Sequence, residues 1–130
     1  MRTSFIPGPT WVDDKARLAM AGDMMGHRSS EFVSLYKRSQ TVLQMMGGTE
    51  RPVYLATCSS WGMMEAVLRN CVREGKKVLN CCCGAFSDRW HEVSLRCGLD
   101  AIALRVPWGA SIEPEMLKKV LEENEVDLVT

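Results

Sequence analysis

The spacing of apolar positions along the chain changes near residue 50. Before it, Phe32, Val33, Leu35, Tyr36, Val42, Leu43 and Met46 recur at roughly helical spacing and stop at Gly47-Gly48. That pattern predicts a helix capped by Ser29 or Ser30 and closed by glycine. A shorter helix is expected over residues 11–20, capped by Thr10 after the non-helical Pro7-Gly8-Pro9, with Asp13 and Asp14 in its first turn. Beyond residue 50, residues 53–57, 77–81, 101–106 and 126–130 are apolar runs of strand length. Residues 63–72, 88–97 and 113–123 read as helices, and Gly75 and Gly98 close the first two. Strands alternating with helices of about ten residues imply an α/β fold, a mostly parallel sheet flanked by helices with three right-handed crossovers.

No low-complexity tract, repeat or linker interrupts the chain, so it reads as one continuous unit. Residues 1–50 form an N-terminal arm with helices, and residues 51–130 form the strand–helix units. The 130 residues are 46% hydrophobic and 25% charged, the composition of a soluble globular chain. Sixteen Lys and Arg balance sixteen Asp and Glu. No net field therefore draws the protein to nucleic acid or to an acidic membrane surface. No apolar run approaches the ~20 residues of a membrane helix, and residues 1–9 lack a secretory stretch. A cytoplasmic protein is expected, with peroxisomes and mitochondria as the other compartments open to it.

Six cysteines stand at 58, 71, 81, 82, 83 and 97. Three of them are consecutive within an apolar stretch, whereas metal ligands are usually spaced so that the chain can turn back on the ion. They read as buried, reduced thiols, with Cys81 and Cys83 on one strand face and Cys82 on the other. The nine methionines point to a pliable core, and no metal site is expected.

An open parallel sheet places its ligand at the carboxyl ends of its strands, where turns meet helix starts. Two turns qualify. Ser59-Ser60-Trp61-Gly62 puts small hydroxyl residues at a helix start, which suits either a phosphate or an ordinary N-cap. Cys83-Gly84-Ala85-Phe86-Ser87-Asp88-Arg89-Trp90 projects an aromatic from the next strand. Phe86 there could stack on a flat heterocycle or join the core. Neither turn is a Gly-Lys-Ser/Thr phosphate loop or a complete Gly-x-Gly-x-x-Gly, so simple nucleoside triphosphate hydrolysis is not indicated.

Several stretches together resemble one family. Phe5-Ile6-Pro7-Gly8-Pro9-Thr10, then Ala19-Met20, then Met25-Gly26-His27-Arg28-Ser29-x-Glu31-Phe32 look like the opening of the class V pyridoxal-phosphate aminotransferases, the alanine–glyoxylate and serine–pyruvate group. Thr57 to Gly62 with Met64-Glu65-Ala66 and Asn70 resembles the family's Ser-Gly-Thr-Gly-x-Met-Glu-Ala helix start. Gly84 to Trp90 resembles its Gly-x-Phe-x-x-Arg-Trp turn, and Glu123-Asn124, Asp127 and Thr130 match the approach to its next active-site loop.

The resemblance implies the N-terminal portion of a fold-type I pyridoxal-phosphate transferase large domain, incomplete at its C-terminus. It implies transamination between alanine or serine and glyoxylate or pyruvate, by a homodimer holding pyridoxal 5′-phosphate. Ser59, Ser60, Trp61 and Gly62 fall where the family holds the cofactor phosphate, and Phe86 where an aromatic stacks on the pyridine. Gly8 matches a substrate-site glycine, and Gly26, His27 and Arg28 match a loop that reaches the partner subunit's site. Ser60 replaces a family glycine, and Trp61 a small or polar residue. The family's Schiff-base lysine, its pyridine-pairing aspartate and its carboxylate-binding arginine belong to later parts of the fold, and neither Lys76 nor Lys77 matches that lysine's setting. The 130 residues alone are therefore expected to be an inactive fragment with no catalytic residue of their own. The rival readings are a non-catalytic dimerising protein, in which residues 26–46 form the contact surface, and an unrelated nucleotide-binding module.

Overall fold

The computed structural model describes residues 4–130. The first three residues of the expected N-terminal arm lie outside the described residues. The chain separates into two compact units, one up to Tyr54 and one from Leu55 to Thr130. The boundary is marked by how Val53 is bonded, not by composition.

The first unit holds α1 (Asp14–Met20) and α2 (Ser30–Gly47). The cap of α1 is Asp13 rather than Thr10, because the Asp13 carboxylate accepts the Lys15 N–H at 2.9 Å. Asp14 then serves the first turn in an ion pair with Arg17. Ser29 caps α2, accepting the Phe32 N–H at 3.1 Å. At the other end Gly48, at φ 58°, takes the left-handed conformation that lets its N–H and that of Thr49 satisfy the last carbonyls.

Residues 53–57, expected as the first strand, form no ladder. Both backbone groups of Val53 are taken by Gln40, whose amide accepts the Val53 N–H at 2.9 Å and donates to its carbonyl at 2.6 Å. Tyr54 and Leu55 are exposed. The sheet therefore has three strands and two crossovers, not four and three.

The second unit runs α3 (Ser60–Cys71), β1 (Lys77–Cys82), α4 (Ala85–Arg96), β2 (Asp100–Arg105), α5 (Pro114–Glu123) and β3 (Val126–Val129). Strand order is β2-β1-β3, all parallel. β1 pairs in register with β2 from Lys77–Asp100 to Cys82–Arg105. As the middle strand it provides most of the core. Val78 and Leu79, pointing to opposite faces, are both fully buried, together with Cys82 and with Leu68 of α3. α4 packs on β1 and β2, and α3 on α4 and β3.

Of the six cysteines expected to be buried only Cys82 is, and Cys58, Cys71 and Cys83 are exposed. The core is not methionine-rich either. Met20, Met24, Met25, Met45 and Met46 are among the exposed side chains. Met20, Met24 and Met25 lie at and beyond the end of α1, and Met45 and Met46 in the last turn of α2.

Candidate functional site

α3 starts three residues earlier than its apolar period suggests, because the cap decides the start. Ser59 Oγ accepts the Trp61 N–H at 3.3 Å and the Ser59 carbonyl accepts the Gly62 N–H at 2.9 Å. Gly62 leaves room for Cys58, whose Sγ would lie 3.2 Å from any Cβ placed there. The side chains of Ser59 and Ser60 are exposed at this helix start, where the positive end of the dipole is concentrated.

α4 also starts early, at Ala85. The hydroxyl of Ser87 accepts the N–H groups of Cys83 at 2.9 Å and Gly84 at 3.0 Å and donates to the Gly84 carbonyl at 2.9 Å, folding the turn tightly after β1. The turn presents Phe86 outward, 76% exposed, so it does not join the core. Its ring stacks on Trp61, with centroids 6.2 Å apart and planes 14° apart, within the range of offset aromatic pairs. The starts of α3 and α4 therefore meet beside the carboxyl end of β1. Arg89, one turn beyond Phe86, holds its guanidinium 6.0 Å from the Trp61 ring centre and pairs with Glu92 at 2.6 Å. Sequence reasoning did not single out Arg89, although its i+3 spacing from Phe86 puts both on one helix face.

A second feature escaped the sequence reading. Asn80 of β1 is fully buried; its amide donates to Ser94 Oγ at 3.2 Å and Thr130 Oγ1 at 2.8 Å, and its carbonyl lies 3.1 Å from His91 Nδ1. The Asn80 oxygen only accepts, so His91 carries its proton on Nδ1. An amide inside the run Val78-Leu79-Asn80-Cys81-Cys82 was the available signal. Burial pushes the thiols of Cys81 and Cys82 above their ordinary value, which leaves them poor nucleophiles.

The other expected site residues lie in the first unit. His27 and Arg28 form an exposed turn closed by the Ser29 N–H donating to the Gly26 carbonyl at 2.9 Å. Gly8 precedes a cis bond to Pro9, and neither Gly8 nor Gly26 has an atom within 4 Å of where a Cβ would stand. Lys76 is ion-paired with Glu125, and Lys77 Nζ donates to Asn124 Oδ1 at 2.9 Å. Lys77 opens β1, at the end of the strand opposite Phe86. Among the described residues no three His, Cys, Asp or Glu side chains stand together as a metal site, and no helix is long and apolar enough to cross a membrane.

A parallel sheet with two helix starts and an aromatic pair at the carboxyl end of its middle strand defines an α/β protein with the fold of the pyridoxal-phosphate aminotransferases. The alanine–glyoxylate aminotransferase of Nostoc sp. superimposes with a TM-score of 0.86 at 28% identity, over 95% of this chain and 33% of that one. In sequence the chain is 34% identical to the serine–glyoxylate aminotransferase of Methylorubrum extorquens, over 92% of its own length and 30% of the relative's. It is also 34% identical to a protein of Synechococcus sp. named soluble hydrogenase, small subunit, over 90% of this chain and 30% of that one. No family model matches the chain. The chain is thus related in sequence and fold to the class V glyoxylate aminotransferases, and it spans about 30% of the length of the curated relatives it matches.

Proposed function

We propose that this chain is part of a pyridoxal 5′-phosphate-dependent aminotransferase that exchanges an amino group between alanine or serine and glyoxylate or pyruvate, as a cytoplasmic homodimer. One observation carries the reading: the exposed serines at the start of α3 stand beside an aromatic pair whose outer ring, Phe86, is largely open. Helix-start amides and serine hydroxyls suit a phosphate ester, and an exposed ring suits a flat heteroaromatic, so the residues fit this cofactor. The free cysteines suit a reducing compartment.

In this reading Ser59 and Ser60 hold the phosphate with the amides of Trp61 and Gly62, and Phe86 fixes the plane of the ring. When bound, the cofactor supplies an electron sink for the bond broken at the substrate's α-carbon. Gly8, Gly26, His27 and Arg28 receive the substrate, the last three in the partner subunit's site. In this reading the 130 residues alone are inactive, since neither Lys76 nor Lys77, engaged with Glu125 and Asn124 at the end of β1 opposite Phe86, matches the setting of the family's Schiff-base lysine. The exposed Val42, Met45 and Met46 of α2 favour the second reading, a non-catalytic dimerising protein.

Titration of pyridoxal phosphate into the chain, followed by tryptophan fluorescence, tests the assignment. Saturable binding is expected. Phe86→Ala should weaken it by about 1–3 kcal/mol, the range for a large apolar side chain. Ser59→Ala should weaken it by about 1.5–3 kcal/mol through a lost charge-assisted bond. Equal affinity in wild type and Phe86→Ala would overturn the stacking role, and dimerisation without cofactor binding would favour the second reading. An assay with alanine, glyoxylate and added cofactor should give no turnover; activity that survives repurification would refute the inactivity of the chain alone.

A further inference from the structure

Between α3 and α4 lies a cavity of about 290 Å³ lined by Trp61, Gly62, Glu65, Arg69, Arg89 and Arg96, among others. Its wall shares Trp61 and Gly62 with the phosphate position proposed above but includes none of Ser59, Ser60 and Phe86, and its charged lining of Glu65, Arg69, Arg89 and Arg96 belongs to it alone.

The charges facing it are unbalanced. Three guanidiniums meet one lining carboxylate, Glu65, which accepts from Arg69 Nε at 2.8 Å. Arg89 is held on one edge by Glu92, just outside the lining. Arg96 makes no ion pair within 4.0 Å among the described residues. A guanidinium carries five donors in a planar fork. Glu65 and Glu92 therefore leave most of the donors of Arg69 and Arg89, and all those of Arg96, facing solvent or the cavity.

Helix spacing makes this arrangement regular. Glu65 and Arg69 are four apart on α3, and Arg89, Val93 and Arg96 line one stripe of α4. Trp61 also lines the cavity, and its ring centre lies 6.0 Å from the Arg89 guanidinium. A wall with one aromatic ring and three guanidinium forks suits an oxyanion held through paired N–H···O bonds. A volume at the lower limit of small-molecule pockets admits only a small one.

We infer that the α3–α4 cavity is a binding site for a small dianion, an inorganic phosphate or a short dicarboxylate, held by Arg69, Arg89 and Arg96. The inference does not depend on the cofactor assignment.

The experiment is calorimetric titration of the chain with inorganic phosphate and, separately, with succinate at constant ionic strength, in wild type, Arg96→Gln, Arg89→Gln and Ser59→Ala. Saturable binding of at least one probe is expected, weakened at least about tenfold by Arg96→Gln and by Arg89→Gln, since each removes a charged hydrogen-bonding partner. Ser59→Ala tests the start of α3 as the alternative anion site. Both arginines are exposed, so the variants should melt with the wild type; if one does not, Arg96→Lys, which keeps the charge and loses the fork, should give an intermediate affinity. Absence of saturable binding by either probe would overturn the inference. So would equal affinity in the arginine variants, or loss confined to Ser59→Ala, which would assign the anion to the start of α3.

Discussion

Asp127 stands where the register between β1 and β3 slips. Lys77 pairs with Val126 and Val78 with Leu128, so Asp127 has no residue opposite it. The extra residue re-aims its side chain, as strand irregularities do. The carboxylate accepts the Arg73 backbone N–H and Nε, both at 2.9 Å, and Nη2 at 2.6 Å. The Arg73 side chain first, and then its backbone N–H, hold the Asp127 carboxyl far below its ordinary 3.8. A carboxyl with a depressed native pKa contributes stability that is fully present above 3.8 and is lost as pH falls through the lower native value. Asp127→Asn should therefore be less stable than wild type at neutral pH, and the gap should narrow as pH drops from about 4 to about 2, where the wild type begins to take up the proton. Thermal melts of both proteins across that range measure it. A gap independent of pH would mean that the shape of the Asp127 side chain, not its charge, carries the effect.

The elements built around capping residues or a single apolar run could be read from the sequence; those set by distant partners could not. Ser29 and Gly47-Gly48 delimit α2 where the pattern places it, because both signals are local. β1, β2 and β3 fall within a residue or two of their apolar runs. Residues 53–57 have the same apolar texture as these strands, but Gln40, thirteen residues upstream, takes the backbone groups of Val53. Helix starts at Ser60 and Ala85 were missed for a related reason: Ser59 and Ser87 fix them through hydroxyl bonds that hydrophobic periodicity does not register. Of the candidate site, Ser59, Trp61 and Phe86 were visible as turn residues. The stacking of Trp61 on Phe86 and the role of Arg89 depend on how α3 and α4 meet. For Asn80 an amide inside an apolar run was the one local signal, and its partners Ser94, Thr130 and His91 lie outside β1, where the sequence does not show them. Asn80→Val extends the apolar run with a strand-forming residue but leaves Thr130 Oγ1 and His91 Nδ1 without that partner. The expected cost is about 1–3 kcal/mol, the range for a buried polar group left unpaired. Denaturant unfolding of the variant checks this, and a change below about 0.5 kcal/mol would mean that water or other groups take over the bonds.

The two units differ sharply in what they bury. From Leu55 onward the chain encloses Leu68, Val78, Leu79, Asn80, Cys82 and Ser94. Among the described residues up to Tyr54 none is buried, and α2 exposes Val33, Leu35, Tyr36, Val42, Met45 and Met46. An 18-residue helix without a buried face derives little stability from propensity alone, and an exposed apolar face of this kind favours association. Local opening energies should follow the same division. In native-state hydrogen exchange of the dilute chain, the amides of β1 should be the slowest and those of α1 and α2 should exchange far faster, with Val78 and Leu79 reporting the global unfolding energy. Raising the protein concentration separates the alternatives. If α2 is the contact surface of a dimer, its protection should grow with concentration, while that of β1 stays fixed and sedimentation shows the dimer forming over the same range. Protection of α2 equal to that of β1 at every concentration, in a chain that sediments as a monomer, would show that the face is covered within one molecule and that α2 carries no self-association.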